Sequence, residues 1–272
     1  MTVNTADLFR ALHRADAPLA LPNAWDAASA ALMEEAGAPA IATTSAGIAW
    51  SLGLPDGDTL SREEAVAALG RIVAAVAVPV TADIEGGYGE TPAEVADTAT
   101  AVIDTGAVGI NIEDGQRSPE DLAARIGAAR RAADRAGVAL FINARTDVYL
   151  RGLAPEADCT AETIARARVY LDAGADGVFV PGPTEPEAIR ALAAGIDAPL
   201  NVMAGPGAPS VAELGALGAA RVSLGVGIAE AAYAVARRAA GELLATGTYG
   251  SLTGGVDYAA MNTLLAVRAS GT

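Results

Sequence analysis

The 272-residue sequence predicts an α/β chain closed into a (β/α)8 barrel of the TIM type. Three observations carry that expectation. One unit recurs: a short β-branched or apolar run, a polar turn, then an alanine-rich amphipathic stretch that ends on glycine. The chain length is close to the ~250 residues of a single barrel. No long polar or low-complexity tract interrupts it, so one domain over residues 1–272 is expected, with 246–272 as a C-terminal helical extension.

Taken in order, the strand-like runs are Leu19–Trp25, Pro39–Ser45, Val78–Glu85, Val108–Glu113, Leu140–Thr146, Gly177–Pro181, Pro199–Met203 and Arg221–Leu224. Helices are expected between them at about 26–36, 61–76, 92–105, 119–136, 160–174, 184–194, 209–217 and 228–245. A further helical stretch starting at Asp7 precedes the first strand and carries His13, read as a surface or capping residue. Alanine-Gly-Ala or a close variant recurs just before strands, as at Ala36-Gly37-Ala38 and Ala173-Gly174-Ala175, where glycine can end a helix in the left-handed region. Regular alternation implies parallel strands with right-handed crossovers. Eight such units in this length favour closure over an open doubly wound sheet. The surplus tail reads as helical from Tyr258 to Arg268 and is suited to docking on, or exchange with, a neighbouring subunit.

Composition narrows the chemistry. A formal net charge of −15 sets nucleic acid aside as a partner, because phosphate binding needs a cationic surface. Apolar runs are broken well before the ~18–20 residues of a membrane span. The start, Met1-Thr2-Val3-Asn4, lacks the basic-then-apolar pattern of a signal peptide, and the single Cys159 fits a reducing cytoplasm. There is no lysine, so Schiff-base aldol chemistry and covalent pyridoxal phosphate are excluded. Carboxylates, Tyr, Ser, Arg and a metal remain.

In a barrel, chemistry collects at the C-terminal ends of the strands. Those ends carry Asn23-Ala-Trp-Asp26, Thr44-Ser45-Ala46-Gly47, Asp83-Ile-Glu85-Gly-Gly-Tyr88-Gly89, Asn111-Ile-Glu113-Asp114, Asn143-Ala-Arg145-Thr-Asp147 and Asn201-Val-Met203. So many carboxylates at one mouth call for a shared cation. On an extended strand Asp83 and Glu85 would point the same way. With Glu113 they form an oxygen-only ligand set suited to Mg2+, or Mn2+, with Asp56 reaching it through water. Arg145 would grip a substrate carboxylate, unless it serves as a structural partner for Asp147 or Glu113. Ser45, Ala46 and Gly47 would hold the other end of an anionic substrate, or form an ordinary turn, and Asn201 adds a polar contact.

These segments resemble the isocitrate lyase/phosphoenolpyruvate mutase superfamily. Asp83-Ile-Glu85-Gly86-Gly87-Tyr88-Gly89 is similar to its Asp-x-Asp-x-Gly-Tyr-Gly metal motif, with Glu at the second acid. Ser51-Leu52-Gly53-Leu54-Pro55-Asp56, Ile112-Glu113-Asp114 and Ala144-Arg145-Thr146-Asp147 match its other blocks in order. The resemblance implies a Mg2+-dependent barrel, dimeric or tetrameric, whose eighth helix is often exchanged. It also implies small anionic 2-oxo or 2-hydroxy acid substrates that pass through a pyruvate-like enolate. One block departs: after strand four the family lyases carry a long Lys-Lys-Cys-Gly-His-like loop, and the mutases a Lys and an Asn, whereas this chain reads Glu113-Asp114-Gly115-Gln116-Arg117-Ser118-Pro119. The expectation is therefore a Mg2+-dependent C–C lyase with Arg145, Glu113 and Tyr88 as catalytic groups and Tyr88 or water returning the proton. A phosphonate enzyme, or a 2-oxo acid binding protein without turnover, is the alternative.

Overall fold

The computed structural model describes residues 4–269. Helix α1 (Thr5–Ala11) is N-capped by the Asn4 side chain, which accepts from the Ala6 N–H. The first barrel strand comes in two pieces, β1 (Leu19–Leu21) and β2 (Asn23–Ala24), because Pro22 has no N–H to continue the ladder. Then follow α2 (Ala27–Glu35), β3 (Ile41–Thr43), α3 (Ser45–Ser51), α4 (Arg62–Ala74), β4 (Val80–Asp83), α5 (Pro92–Asp104), β5 (Gly109–Glu113) and α6 (Pro119–Ala136). The second half contains β6 (Phe141–Arg145), α7 (Val148–Arg151), α8 (Cys159–Asp172), β7 (Gly177–Val180), α9 (Pro186–Gly195), β8 (Leu200–Met203), α10 (Val211–Ala216), β9 (Ala219–Ser223), α11 (Gly227–Thr246) and α12 (Tyr258–Ala269).

Every strand pair is parallel, and the order β1-β9-β8-β7-β6-β5-β4-β3-β2 brings the two halves of the split strand to opposite ends of the sheet. The sheet is thereby rolled into the expected barrel. Helix starts follow from local chemistry: Ser61, Thr91 and Ser210 each form a capping box with the glutamate three residues on. Two elements depart from the expected pattern. Ser45–Gly47 is the first turn of the unforeseen helix α3 rather than a bare turn, and α7 is likewise new. The run Val78–Glu85 contracts to β4, which stops at Asp83. Helix α12 matches the expected Tyr258–Arg268 closely, while residues 270–272 of the extension lie outside the described residues.

Paired residues in a parallel ladder face the same side. Outward, Val80, Ala82, Ile110, Ile112 and Ile142 join the large core under the helices. Inward, the N-terminal end of the barrel is apolar, filled by Phe9, Leu19, Leu21, Ala42 and Phe141. His13 belongs to this plug: it is buried, stacks on Phe141 with ring centroids 4.0 Å apart, and is not the surface residue expected from its helix. Burial, then the charge of Arg221, lowers its pKa to about 3, so it is neutral. Above the plug lies a polar layer. Asn143 Nδ2 donates to Asn111 Oδ1 at 3.0 Å and to Asn201 Oδ1 at 3.1 Å, and Arg221 Nη2 crosses the barrel to Asn111 Oδ1 at 3.2 Å.

Candidate active site at the barrel mouth

The side chains that close the polar layer from above come from β4, β5 and β6. The register pairs Asp83 with Asn111, and Glu113 with Arg145, so Asp83, Glu113 and Arg145 all face inward at the C-terminal end. Arg145 Nη1 lies 2.6 Å from Glu113 Oε2, and its Nε lies 2.7 Å from Asp147 Oδ1. The guanidinium is therefore held by two carboxylates. Burial opposes its charge, but Glu113, Asp147 and Asp83 outweigh that and push its pKa up.

Glu85 is placed otherwise than an extended strand implies. Past the end of β4 it adopts φ 50°, and Gly87 and Tyr88 follow at 105° and 48°. Three left-handed residues within four make a tight turn whose strain must be held from outside. Arg125, buried on α6, does so, donating to the carbonyls of Gly86 at 3.0 Å, Gly89 at 2.7 Å and Glu90 at 2.8 Å. Gly87 cannot carry a side chain, since a Cβ there would sit 2.7 Å from Val95 Cγ2. The turn swings Glu85 off the line of Asp83 and toward the loop between α3 and α4, where one oxygen accepts the Asp58 N–H and the other, Oε1, is buried without a partner.

Negative charge is in excess here. Burial raises Glu113 to about 8 even though Arg145 pulls the other way, and Asp83, Asp147 and Glu85 add to the rise. Burial raises Glu85 to about 7, with Asp58, Asp83 and Asp56 contributing. Asp83 is raised too, first by burial and despite Arg145. Tyr88, half-buried, is pushed far up by burial and by the charges of Glu85 and Asp83, so its phenol stays protonated.

The remaining candidates divide. Ser45 Oγ lies 3.3 Å from Asp56 Oδ1 and 3.2 Å from Asp83 Oδ2, which ties the start of α3 to the acidic cluster. Gly47 packs so tightly on Trp25 and Thr44 that an added Cβ would lie 2.8 Å from each. Asn201 does not reach the mouth. It is buried, and its amide is spent on Asn143, Ser223 and the carbonyls of Val202 and Arg221, so its role as a substrate contact is withdrawn.

Among the described residues no three acids form a ready-made cage for one ion. The donor set nonetheless suits a hydrated divalent cation. It is all oxygen, one buried carboxylate oxygen is orphaned, and Mg2+ characteristically keeps several waters while binding one or two carboxylates.

Sequence reasoning missed the clamp residue Arg125 and the donor Asp58. It also missed the buried network in which Asp114 accepts from the Asp147 N–H at 2.8 Å, Arg166 at 3.0 Å and Tyr170 at 2.7 Å. Only the capping pattern of α6 hinted at Arg125, by placing it one turn beyond Asp121. The short segment after β5 is as expected: α6 begins at Pro119 with no intervening lid.

Comparison with known proteins gives the same grouping. Residues 9–244 match the phosphoenolpyruvate phosphomutase family. An uncharacterised protein of Mycobacterium tuberculosis (strain ATCC 25618 / H37Rv) is 40% identical over 245 residues, covering 87% of this chain and 90% of its own. The 2-methylisocitrate lyase of Halalkalibacterium halodurans is 30% identical over 208 residues, covering 72% and 66% respectively. An oxaloacetate acetylhydrolase solved with its product oxalate superposes with a TM-score of 0.86 at 26% identity, covering 98% of this chain and 96% of the other. With the barrel and the strand-end segments in place, the chain belongs to the phosphoenolpyruvate phosphomutase family, within the isocitrate lyase/phosphoenolpyruvate mutase superfamily.

Proposed function

We propose that this protein is a Mg2+-assisted lyase that breaks a C–C bond of a small 2-oxo or 2-hydroxy acid by way of an enolate. The observation that carries it is the excess of buried carboxylate at the mouth, with Glu85 and Glu113 raised to about 7 and about 8. Such a cluster calls for a cation. Asp83 would hold it directly, with Glu85, Glu113 and Asp56 reaching it through its bound waters. When bound, it supplies a Lewis acid for the oxygen on the substrate's C2.

The chain's own groups do the rest. Arg145, fixed by Glu113 and Asp147, is the guanidinium at the mouth that a substrate carboxylate would meet. Ser45 Oγ and the backbone of Ala46 and Gly47 orient the far carboxylate. In a 2-hydroxy acid the hydroxyl proton passes to the Glu113 carboxylate, the C2–O bond becomes a carbonyl, and the C2–C3 bond breaks. The electron pair left on C3 takes up a proton, and the protonated Tyr88 Oη is the donor at hand. The test is pyruvate release from oxaloacetate, 2-methylisocitrate and 2,3-dimethylmalate with and without Mg2+. Absence of metal-dependent turnover of all three overturns the proposal.

The family match favours one second reading, phosphonate chemistry at the same mouth. Formation or loss of a C–P bond, followed by phosphorus NMR, would replace the lyase assignment. We also propose a cytoplasmic homodimer or homotetramer. Helix α11 buries only Ala229 and leaves Tyr233, Val235, Leu243 and Leu244 exposed around its surface, apolar area suited to another subunit.

A further inference from the structure

We propose that Arg117 is a positioning residue: it braces the loop between α3 and α4 against the Glu85 turn and so keeps Asp56 and Glu85 in place at the mouth. The inference rests on the cation reading of that mouth and adds to it the residue that holds the water-relayed acids.

The loop has little else to hold it. Residues 55–59 are exposed, and Leu60 is the first buried side chain after them. Gly53 and Gly57 take positive φ of 80° and 103°, and Asp58 does so at 55°, without the freedom of glycine. Among the described residues its ties to the barrel are few. Ser45 Oγ donates to Asp56 Oδ1 at 3.3 Å, and the Asp58 N–H donates to Glu85. The third tie is Arg117, whose Nη2 lies 3.6 Å from Asp58 Oδ2. On its outer side the loop faces a polar cavity of about 620 Å³, lined in part by Asp58, Tyr88 and Arg117.

Arg117 is built to make that tie. It stands in the five-residue segment 114–118 between β5 and α6. Its own N–H donates to Asp114 O at 2.7 Å, which fixes the backbone beneath the side chain. The guanidinium then lies across Gly86, where an added Cβ would sit 2.8 Å from both Cζ and Nη2 of Arg117. Gly86 is not among the residues of positive φ, so its backbone does not require glycine. The close approach of Arg117 does. On the far side Nε lies 3.6 Å from Asp121 Oδ2. Each of these partly exposed ion pairs is weak by itself. Together with the contact on Gly86 they set one guanidinium between the loop, the turn and α6.

Charge and bracing predict opposite signs. If Arg117 were only a positive charge beside an acidic cluster, removing it would draw a cation in more tightly. If it braces the loop, removing it lets Asp56 and Glu85 drift and weakens the site. The test is Mn2+ binding to the full chain, followed by the EPR signal of the free ion, together with hydrogen exchange of segment 53–60 in the metal-free protein. Arg117→Ala is expected to weaken Mn2+ binding by about tenfold and to speed exchange of the segment by about tenfold, with the barrel strands unchanged. Gly86→Ala keeps every charge and displaces only the guanidinium. It is expected to do the same, and the double variant should be no worse than either single one. Unchanged or tighter Mn2+ binding by Arg117→Ala overturns the brace, as does a Gly86→Ala variant that leaves both readouts where they were. If the natural chain binds no Mn2+, the cation reading falls instead, and exchange of the segment then decides the brace by itself: faster exchange in Arg117→Ala upholds it, and unchanged exchange overturns it.

Discussion

Replacing Arg221 with methionine is expected to raise the stability of this protein, and the size of the gain follows from the barrel interior. Arg221 is fully buried, makes one hydrogen bond through Nη2 to Asn111, and leaves Nε and Nη1 without partners. Burial lowers its pKa from 12.5 to about 9, with the distant charge of Asp83 offsetting only part of the loss. At about 1.4 kcal/mol per pH unit, that gap corresponds to about 5 kcal/mol of native-state stability lost at neutral pH. The guanidinium is protonated in both folded and unfolded chains at pH 7. The loss is therefore constant across the neutral range and is relieved only as pH rises above about 9.

Methionine keeps the unbranched stem and fills most of the same channel, and Asn111 Oδ1 still receives Asn143 at 3.0 Å. Allowing for the lost hydrogen bond and a small residual void, the net gain should be about 2 kcal/mol, within the range seen when buried charges are replaced by apolar groups. In a chain of this size that is a rise in Tm of roughly 5 °C. Thermal and urea melts of the metal-free protein at pH 7 measure it. A loss of about 2 kcal/mol or more would show that the guanidinium is compensated inside the barrel and would refute the reasoning.

Two further predictions concern the mouth and the outer helix. Because Glu85 and Glu113 bind protons more tightly in the folded chain than at the ordinary 4.5, their contribution is fully present below about 4.5 and is lost as pH climbs through about 7 and about 8. The Tm of the metal-free protein should therefore fall between pH 5 and pH 9, and millimolar Mg2+ should flatten the fall. A flat profile, or one that Mg2+ leaves unchanged, counts against the carboxylate cluster as a cation site. Light scattering should find a dimer or tetramer, and Leu244→Asp, at a residue 86% exposed on α11, should shift it toward monomer. A monomeric natural protein would refute that assignment.

How much was legible beforehand depends on the range of the interaction that decides each feature. By itself the sequence determined the alternation of strand and helix, the closure into eight units, and the strand-end places of Asp83, Glu113 and Arg145. Each of these follows from local periodicity, from turn chemistry and from where a parallel strand must stop. Glu85 was misjudged because strand spacing assumes extended backbone, and the left-handed turn from Glu85 to Tyr88 is held by Arg125, which lies 36 residues from Gly89. Asn201 and His13 were misjudged because depth along a barrel strand is not written in residue type: one sits in the polar layer and the other in the plug beneath it. Arg221 gave no signal at all, since its partner Asn111 is 110 residues away across the barrel. Whether a polar side chain meets solvent, a substrate or another side chain is set by closure of the sheet, and only the tertiary structure decided that.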